Sequence, residues 1–218
     1  MDMSSLVPAS PFTSAKIRAK MIETLKAQGI FDQEVLVAMN QVPRHAFIDE
    51  GLASRAYQDT ALPIGFSQTI SKPYIVARMI ELLKFGRKLG KMLEIGTGCG
   101  YQTAILSLLT HHVHTVERIE GLAKSARERL SLLQCRNVVS HDYDGSLGVS
   151  HQAPFDSIIV SAAADKIPEG LLNQLAVGGR MVLPVGSEEQ QLYVVDRTAE
   201  GFEYTPMNSV KFVPLISK

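Results

Sequence analysis

The sequence predicts an α/β fold: a mostly parallel, doubly wound sheet, an antiparallel C-terminal end and an N-terminal helical cover. Three observations predict it. From Lys91 onward, short apolar runs alternate with amphipathic helical stretches. A glycine turn, Gly96-Thr97-Gly98-Cys99-Gly100, joins the first of those runs to a helix. The last two strand-like runs, residues 191–196 and 209–214, have no helix between them and so read as an antiparallel pair.

The elements follow in order. The first 13 residues read as a tail, rich in Ser, Pro and small residues and disordered over about the first ten. Residues 12–28 read as an amphipathic helix, because Ile17, Met21, Ile22 and Leu25 recur at helical spacing, and Gly29 ends it. Asp32 caps a second helix carrying Val35, Leu36 and Met39, which stops before Pro43. Residues 42–71 read as irregular, with Pro43, Gly51, Pro63 and Gly65 and the aromatics Phe47, Tyr57 and Phe66. So long an irregular stretch tends to cover a site. Residues 72–83 form a helix with Pro73 in its first turn. Then come a strand at 91–95, a helix from 101 to about 109, a strand at 112–116 and a helix at 120–134. A short strand at 137–140, a buried strand at 155–161, a helix at 168–175 and a strand at 180–185 complete the alternation, with right-handed crossovers expected. We expect one domain over 14–218, with 14–85 as helices and active-site cover and 86–218 as the core.

Composition excludes several classes. Lys+Arg and Asp+Glu both number 22, so no net basic field draws nucleic acid. No apolar run approaches a membrane span, and the N-terminus lacks the basic start and apolar stretch of a secretory signal. Two cysteines make neither a disulfide framework nor a zinc site, and Cys99 reads as a small packing residue. His111, His112 and His114 read as surface and strand-end residues without metal-ligand spacing. The expectation is a reduced, cytoplasmic monomer with no nucleic-acid, membrane or metal partner.

The glycine turn narrows the ligand. A glycine turn between strand and helix lets backbone approach a ligand closely, and Glu117 follows at the end of the next strand. The dinucleotide fingerprint is G-x-G-x-x-G, but here the third glycine comes one residue early, and no Lys-Ser or Lys-Thr follows to make a P-loop. The pattern Glu94-Ile95-Gly96-Thr97-Gly98-Cys99-Gly100 with a later acid resembles the S-adenosylmethionine-dependent methyltransferases, which have a Rossmann-like fold. An acid such as Glu94 suits the ammonium end of that cofactor, directly or through water.

Other segments are more specific. Val42-Pro43-Arg44-His45-Ala46-Phe47, Asp59-Thr60-Ala61-Leu62-Pro63-Ile64-Gly65 and Gln68-Thr69-Ile70-Ser71-Lys72-Pro73 resemble the protein-L-isoaspartate O-methyltransferase family. So do Pro154-Phe155-Asp156-Ser157-Ile158-Ile159-Val160, Leu183-Pro184-Val185-Gly186 and Phe212-Val213-Pro214-Leu215. The resemblance implies methylation of isoaspartyl carboxylates in damaged proteins and peptides, with S-adenosyl-L-methionine as donor. It implies that Gly96, Gly98 and Gly100 shape the loop around the methionine part, that Glu117 takes the ribose hydroxyls, and that Asp144-Gly145 reads the adenine. It also implies that Ile70 and Ser71 close over the cofactor, Ser71 being the active-site residue, and that Asp59, Leu62, Pro63, Ile64 and Val213 meet the substrate. Tyr143 departs from the family, which usually has Gly before that Asp.

Methyl transfer to a carboxylate needs no general base, since the acceptor is ionised at neutral pH, with a reference pKa of roughly 4. The enzyme has to align oxygen, carbon and sulfur and exclude water. Ser71 is expected to orient the acceptor or cofactor by hydrogen bonding, or to cap the following helix. Glu117 has capping as its alternative, Asp144 an Asp-Gly turn, and Asp59 a plain surface charge. Two other functions stand beside the repair activity: a methyltransferase of a small molecule or other acceptor, and a non-catalytic sensor of the cofactor.

Overall fold

Two helices, α1 (Ala15–Ala27) and α2 (Gln33–Gln41), begin the cover. Asp32 caps α2 as expected, its carboxylate accepting from the backbone N–H groups of Glu34 and Val35 at 3.0 and 3.1 Å. The computed structural model describes residues 3–7 and 13–216. Within the first part, Met3–Leu6 is a short 3₁₀ turn and Met3 is buried in the core, unlike the disordered tail expected there. The rest of that expectation, at residues 1, 2 and 8–12, lies outside the described residues.

The stretch expected to be irregular has structure of its own. After two 3₁₀ segments, Arg44–Phe47 and Glu50–Arg55, it forms a hairpin of β1 (Leu62–Gly65) and β2 (Gln68–Ile70). The two turn residues, Phe66 and Ser67, both have left-handed backbone, φ 52° and 57°. That is the geometry of a type I′ hairpin turn, usually written Asn-Gly, so the residue types hid it. Helix α3 (Pro73–Lys84) follows, with Pro73 in its first turn.

The core elements are β3 (Lys91–Ile95), α4 (Tyr101–Leu109), β4 (His112–Val116), α5 (Glu120–Leu132), β5 (Val138–His141), β6 (Phe155–Val160), α6 (Glu169–Leu172), β7 (Leu175–Val185), β8 (Gln190–Arg197) and β9 (Phe202–Val210). They make one seven-stranded sheet in the order β5-β4-β3-β6-β7-β8-β9, parallel from β5 through β7 and antiparallel from there. Chain order turns at β3, which pairs with β4 on one side and β6 on the other. Helices pack on both faces around two apolar clusters, one holding α1 to α4 against the sheet and one between β6, β7 and α6.

Three further expectations are corrected. The helix expected at 168–175 is one short turn, because Leu175 is already paired with Phe155 in the sheet and the Phe155 N–H donates to Gln174 O at 2.8 Å. The last strand lies at 202–210, not 209–214. As an edge strand it is mostly exposed and polar, so hydrophobic alternation does not mark it. Residues 213–215 instead run along Ala163, which donates to Val213 O at 2.8 Å and accepts from the Leu215 N–H at 2.7 Å. Finally, His114 is buried, stacked between His112 and His141 at 5.8 and 5.4 Å between ring centroids. Among the described residues no helix is long and apolar enough to cross a membrane.

Candidate active site

A crevice opens at the C-terminal ends of β3, β4 and β6, where strand order reverses, the position at which open α/β sheets bind ligands. Its floor is the glycine loop. The N–H groups of Gly96 and Thr97 both donate to Val116 O, at 2.9 and 3.2 Å, tying the loop to the end of β4. Gly96, Gly98 and Gly100 all have left-handed backbone, φ 89°, 56° and 92°, which side-chain-bearing residues adopt only with strain. A Cβ at Gly100 would make ordinary contact with Ala126 and Leu130 of α5, 3.4 Å away, so it is the left-handed backbone that calls for glycine there.

Glu117 is the acid of the crevice. It is 8% exposed, and its two carboxylate oxygens accept from the Gly98 N–H at 2.8 Å and the Ile119 N–H at 2.9 Å. Each oxygen keeps a lone pair for a diol. The carboxylate braces the loop, as the capping alternative expects, and still lines the crevice.

Glu94 is placed differently from the expectation. It is fully buried beneath the loop and does not line the crevice. Its carboxylate accepts from Thr103, from Thr115 Oγ1 at 2.7 Å and from Gln102 Nε2 at 3.0 Å. Burial pushes its carboxyl up to about 7, partly opposed by those hydrogen bonds. Gln102 Nε2 also donates to Ser161 Oγ at 2.8 Å, so Glu94 reaches the crevice through Gln102 and Ser161. Neither residue stands out from sequence spacing. The available signal was position: Ser161 directly follows β6 at the carboxyl edge of the sheet.

Gly145 lines the crevice, and a Cβ there would lie 2.6 Å from Ile95 Cγ2, so glycine is required. Asp144 accepts from the Ser146 N–H at 2.9 Å and caps the 3₁₀ turn Gly145–Leu147, the Asp-Gly turn weighed for it. Tyr143 is partly exposed, its ring 5.8 Å from that of His141.

The β1–β2 hairpin covers the crevice with Ile64, Gln68 and Ile70, and Ser71 follows at its rim. A second groove adjoins, between α3 and residues 208–213. Thr69, Ser71, Ser161 and Val213 line both spaces. Of the expected substrate residues, Ile64 and Val213 meet these spaces. Leu62 is buried in the core, Pro63 is exposed elsewhere, and Asp59 serves α3: its Oδ1 accepts from the Tyr74 N–H at 2.8 Å and its Oδ2 lies 3.7 Å from Lys72 Nζ. The N-cap position of α3 is Lys72, so Ser71 is not the cap.

Arg44 is a residue that sequence patterning did not single out as functional. Its guanidinium is fully buried, lies 4.8 Å from the Tyr101 ring centroid and donates to Ala56 O and Ser71 O. Burial lowers its pKa from the ordinary arginine value. Burial likewise pushes the Tyr101 hydroxyl up to about 12, so it stays neutral, and raises the Cys99 thiol, in keeping with a packing role.

The crevice suits an adenosyl sulfonium better than a phosphate ester. Among the described residues Arg118 is the one Lys or Arg in its lining, and Ile70, Val76, Ile95 and Leu122 give it apolar walls. Fold and crevice define a Rossmann-like methyltransferase. A family model described as protein-L-isoaspartate(D-aspartate) O-methyltransferase matches residues 16–218, and the chain belongs to that family. The chain is 55% identical to the protein-L-isoaspartate O-methyltransferase of Methylobacillus flagellatus, over 94% of this chain and 93% of that protein. It is 53% identical to the enzyme of the same name from Aromatoleum aromaticum, over 99% of both. A solved Plasmodium falciparum structure, described as a protein-L-isoaspartate O-methyltransferase in complex with S-adenosyl-L-homocysteine, superposes with a TM-score of 0.78 at 27% identity, covering 91% of this chain and 98% of that one. Another protein-L-isoaspartate O-methyltransferase structure superposes with a TM-score of 0.83 at 26% identity, covering 92% of this chain and 66% of that one.

Proposed function

We propose that this enzyme transfers a methyl group from S-adenosylmethionine to the free carboxylate of L-isoaspartyl residues in damaged proteins and peptides, acting as a cytoplasmic monomer. The observation that carries this reading is the rim shared by crevice and groove. Ser71 stands where a ligand in the crevice and a chain in the groove would meet. The cofactor supplies an electrophilic methyl on a sulfonium. The protein's own residues do the rest. Glu117 holds a diol, the glycine loop and Gly145 admit the adenosyl and methionine parts, and the hairpin excludes water. Ser71 orients the acceptor oxygen by hydrogen bonding; no hydrogen bond from its hydroxyl occupies it among the described residues.

Among the described residues the groove is lined by Lys72, Arg78 and Lys211; Lys72 lies 3.7 Å from Asp59 and Arg78 2.8 Å from Glu81, which leaves Lys211 to meet an anionic acceptor. An ionised acceptor needs no base, so alignment is the main catalytic task, and orientation of this kind contributes on the order of 7–11 kcal/mol. Two free cysteines agree with a reducing compartment. The reading is tested by incubating one protein, freshly purified or aged at warm alkaline pH, with methyl-labelled S-adenosylmethionine. Alkali-labile label should enter the aged sample only; equal labelling of both would refute the repair function.

A further inference from the structure

A side chain on the cover meets a missing side chain on the core. Phe66, at the tip of the β1–β2 hairpin, is 62% exposed, yet its ring edge rests on Gly121 at the start of α5. A Cβ at Gly121 would lie 2.3 Å from Phe66 Cζ. Gly121 has ordinary helical backbone, so its conformation does not call for glycine. Its absent side chain leaves a seat for the ring.

That seat is well placed. Gly121 comes just after Glu117, Arg118 and Ile119, which line the crevice, and Leu122 lines it too. At its other side, the hairpin touches the glycine loop, with Ile64 Cδ1 3.4 Å from where a Gly98 Cβ would be. The hairpin thus spans the crevice from the glycine loop to α5. Its tip is a tight turn of two non-glycine residues in left-handed backbone, a conformation that persists only when surroundings hold it. Most of the Phe66 ring stays in water, so the contact is small, as befits one that opens in each turnover.

We propose that Phe66 on Gly121 is the latch that keeps the hairpin over the crevice and sets how long S-adenosylhomocysteine, the demethylated cofactor, remains bound. Phe66 and Gly121 are positioning residues. They act through Ile64, Gln68 and Ile70, and the inference rests on the cofactor reading above.

The test is the dissociation rate of S-adenosylhomocysteine, followed by rapid displacement, for wild type, Phe66→Ala, Gly121→Ala and the double variant, each also melted thermally. Phe66→Ala and Gly121→Ala should each speed release about three- to tenfold, with the double variant no faster than the singles. Gly121→Ala should melt close to wild type, because the mostly exposed Phe66 ring can swing aside into solvent. A merely structural contact would lower melting and leave release unchanged. Unchanged release in both folded single variants overturns the latch while leaving the cofactor reading intact. Failure of the wild type to bind S-adenosylhomocysteine would overturn both.

Discussion

Arg44 Nη2 donates to the carbonyl oxygen of Ser71 at 2.7 Å, across 27 positions of sequence. The same guanidinium donates through Nε to Ala56 O at 2.8 Å and lies over Tyr101, the first residue of the helix that follows the glycine loop. One buried cation therefore fixes the cover, the rim residue and the start of α4 relative to one another. Such a charge is expensive to desolvate, and its hydrogen bonds to backbone carbonyls offset that cost.

Arg44→Lys should lower kcat by about tenfold or more while changing the Kd for cofactor less, because a single ammonium cannot serve both carbonyls and a misplacement of the rim residue is costly to rate. Steady-state kinetics with separate cofactor titration checks this. Wild-type kcat in a folded Arg44→Lys enzyme would remove Arg44 from the positioning of Ser71.

Asp59 braces the first turn of α3, accepting from Tyr74 N–H beside Lys72. Asp59→Ala should cost about 0.5–2 kcal/mol of stability, the usual range for a lost helix N-terminal cap, with the KM for an isoaspartyl peptide unchanged. A raised peptide KM at unchanged stability would return Asp59 to the substrate.

Glu117→Gln should weaken cofactor binding roughly 10- to 100-fold, as expected when a hydrogen-bonded charge worth about 1.5–3 kcal/mol is removed. The amide has one acceptor atom where the carboxylate has two, so it cannot accept from both Gly98 and Ile119 N–H and still hold a diol. Calorimetric titration with S-adenosylhomocysteine measures it; unchanged affinity would leave Glu117 only its loop-bracing role.

Two buried groups shape stability against pH with opposite signs. Burial, with the neighbouring His141, Lys91, His112 and His151, holds His114 down to about 4, from the ordinary 6.5. The unfolded chain then binds more protons in that window, so this stability is present above pH 6.5 and lost as pH falls toward 4. Glu94 is raised from 4.5 to about 7, so the folded state binds more protons there and stability falls as pH rises through that range. Denaturant melts across pH should show His114→Phe flattening part of the acid-side decline, with the rest staying with His141, and Glu94→Gln gaining on wild type between pH 4.5 and 7, by about 1–3 kcal/mol for Glu94. Parallel profiles for wild type and both variants would contradict the two assignments.

The parallel core was legible because its strands are continuous apolar runs and its helices keep one face; β3, α4 and β4 fall where the periodicity puts them. The glycine loop and Glu117 were legible because a turn and an acid at a switch point have local spacing. What stayed hidden depends on contacts distant in sequence. Phe66-Ser67 gives no turn signal, yet forms a left-handed hairpin turn against α5. The longer helix expected at 168–175 was cut to the single turn of α6 by strand pairing at Leu175. Nothing local distinguishes Arg44 from a surface arginine, since its partners are 12 and 27 residues away.

The most direct measurement is methyl transfer from labelled S-adenosylmethionine to two synthetic peptides identical except for L-isoaspartyl or L-aspartyl at one site. The rim geometry and the family predict esterification of the isoaspartyl peptide alone, with Ser71→Ala lowering its turnover more than the enzyme's melting temperature. Esterification of both peptides alike, or of neither while cofactor still binds, would contradict the assignment.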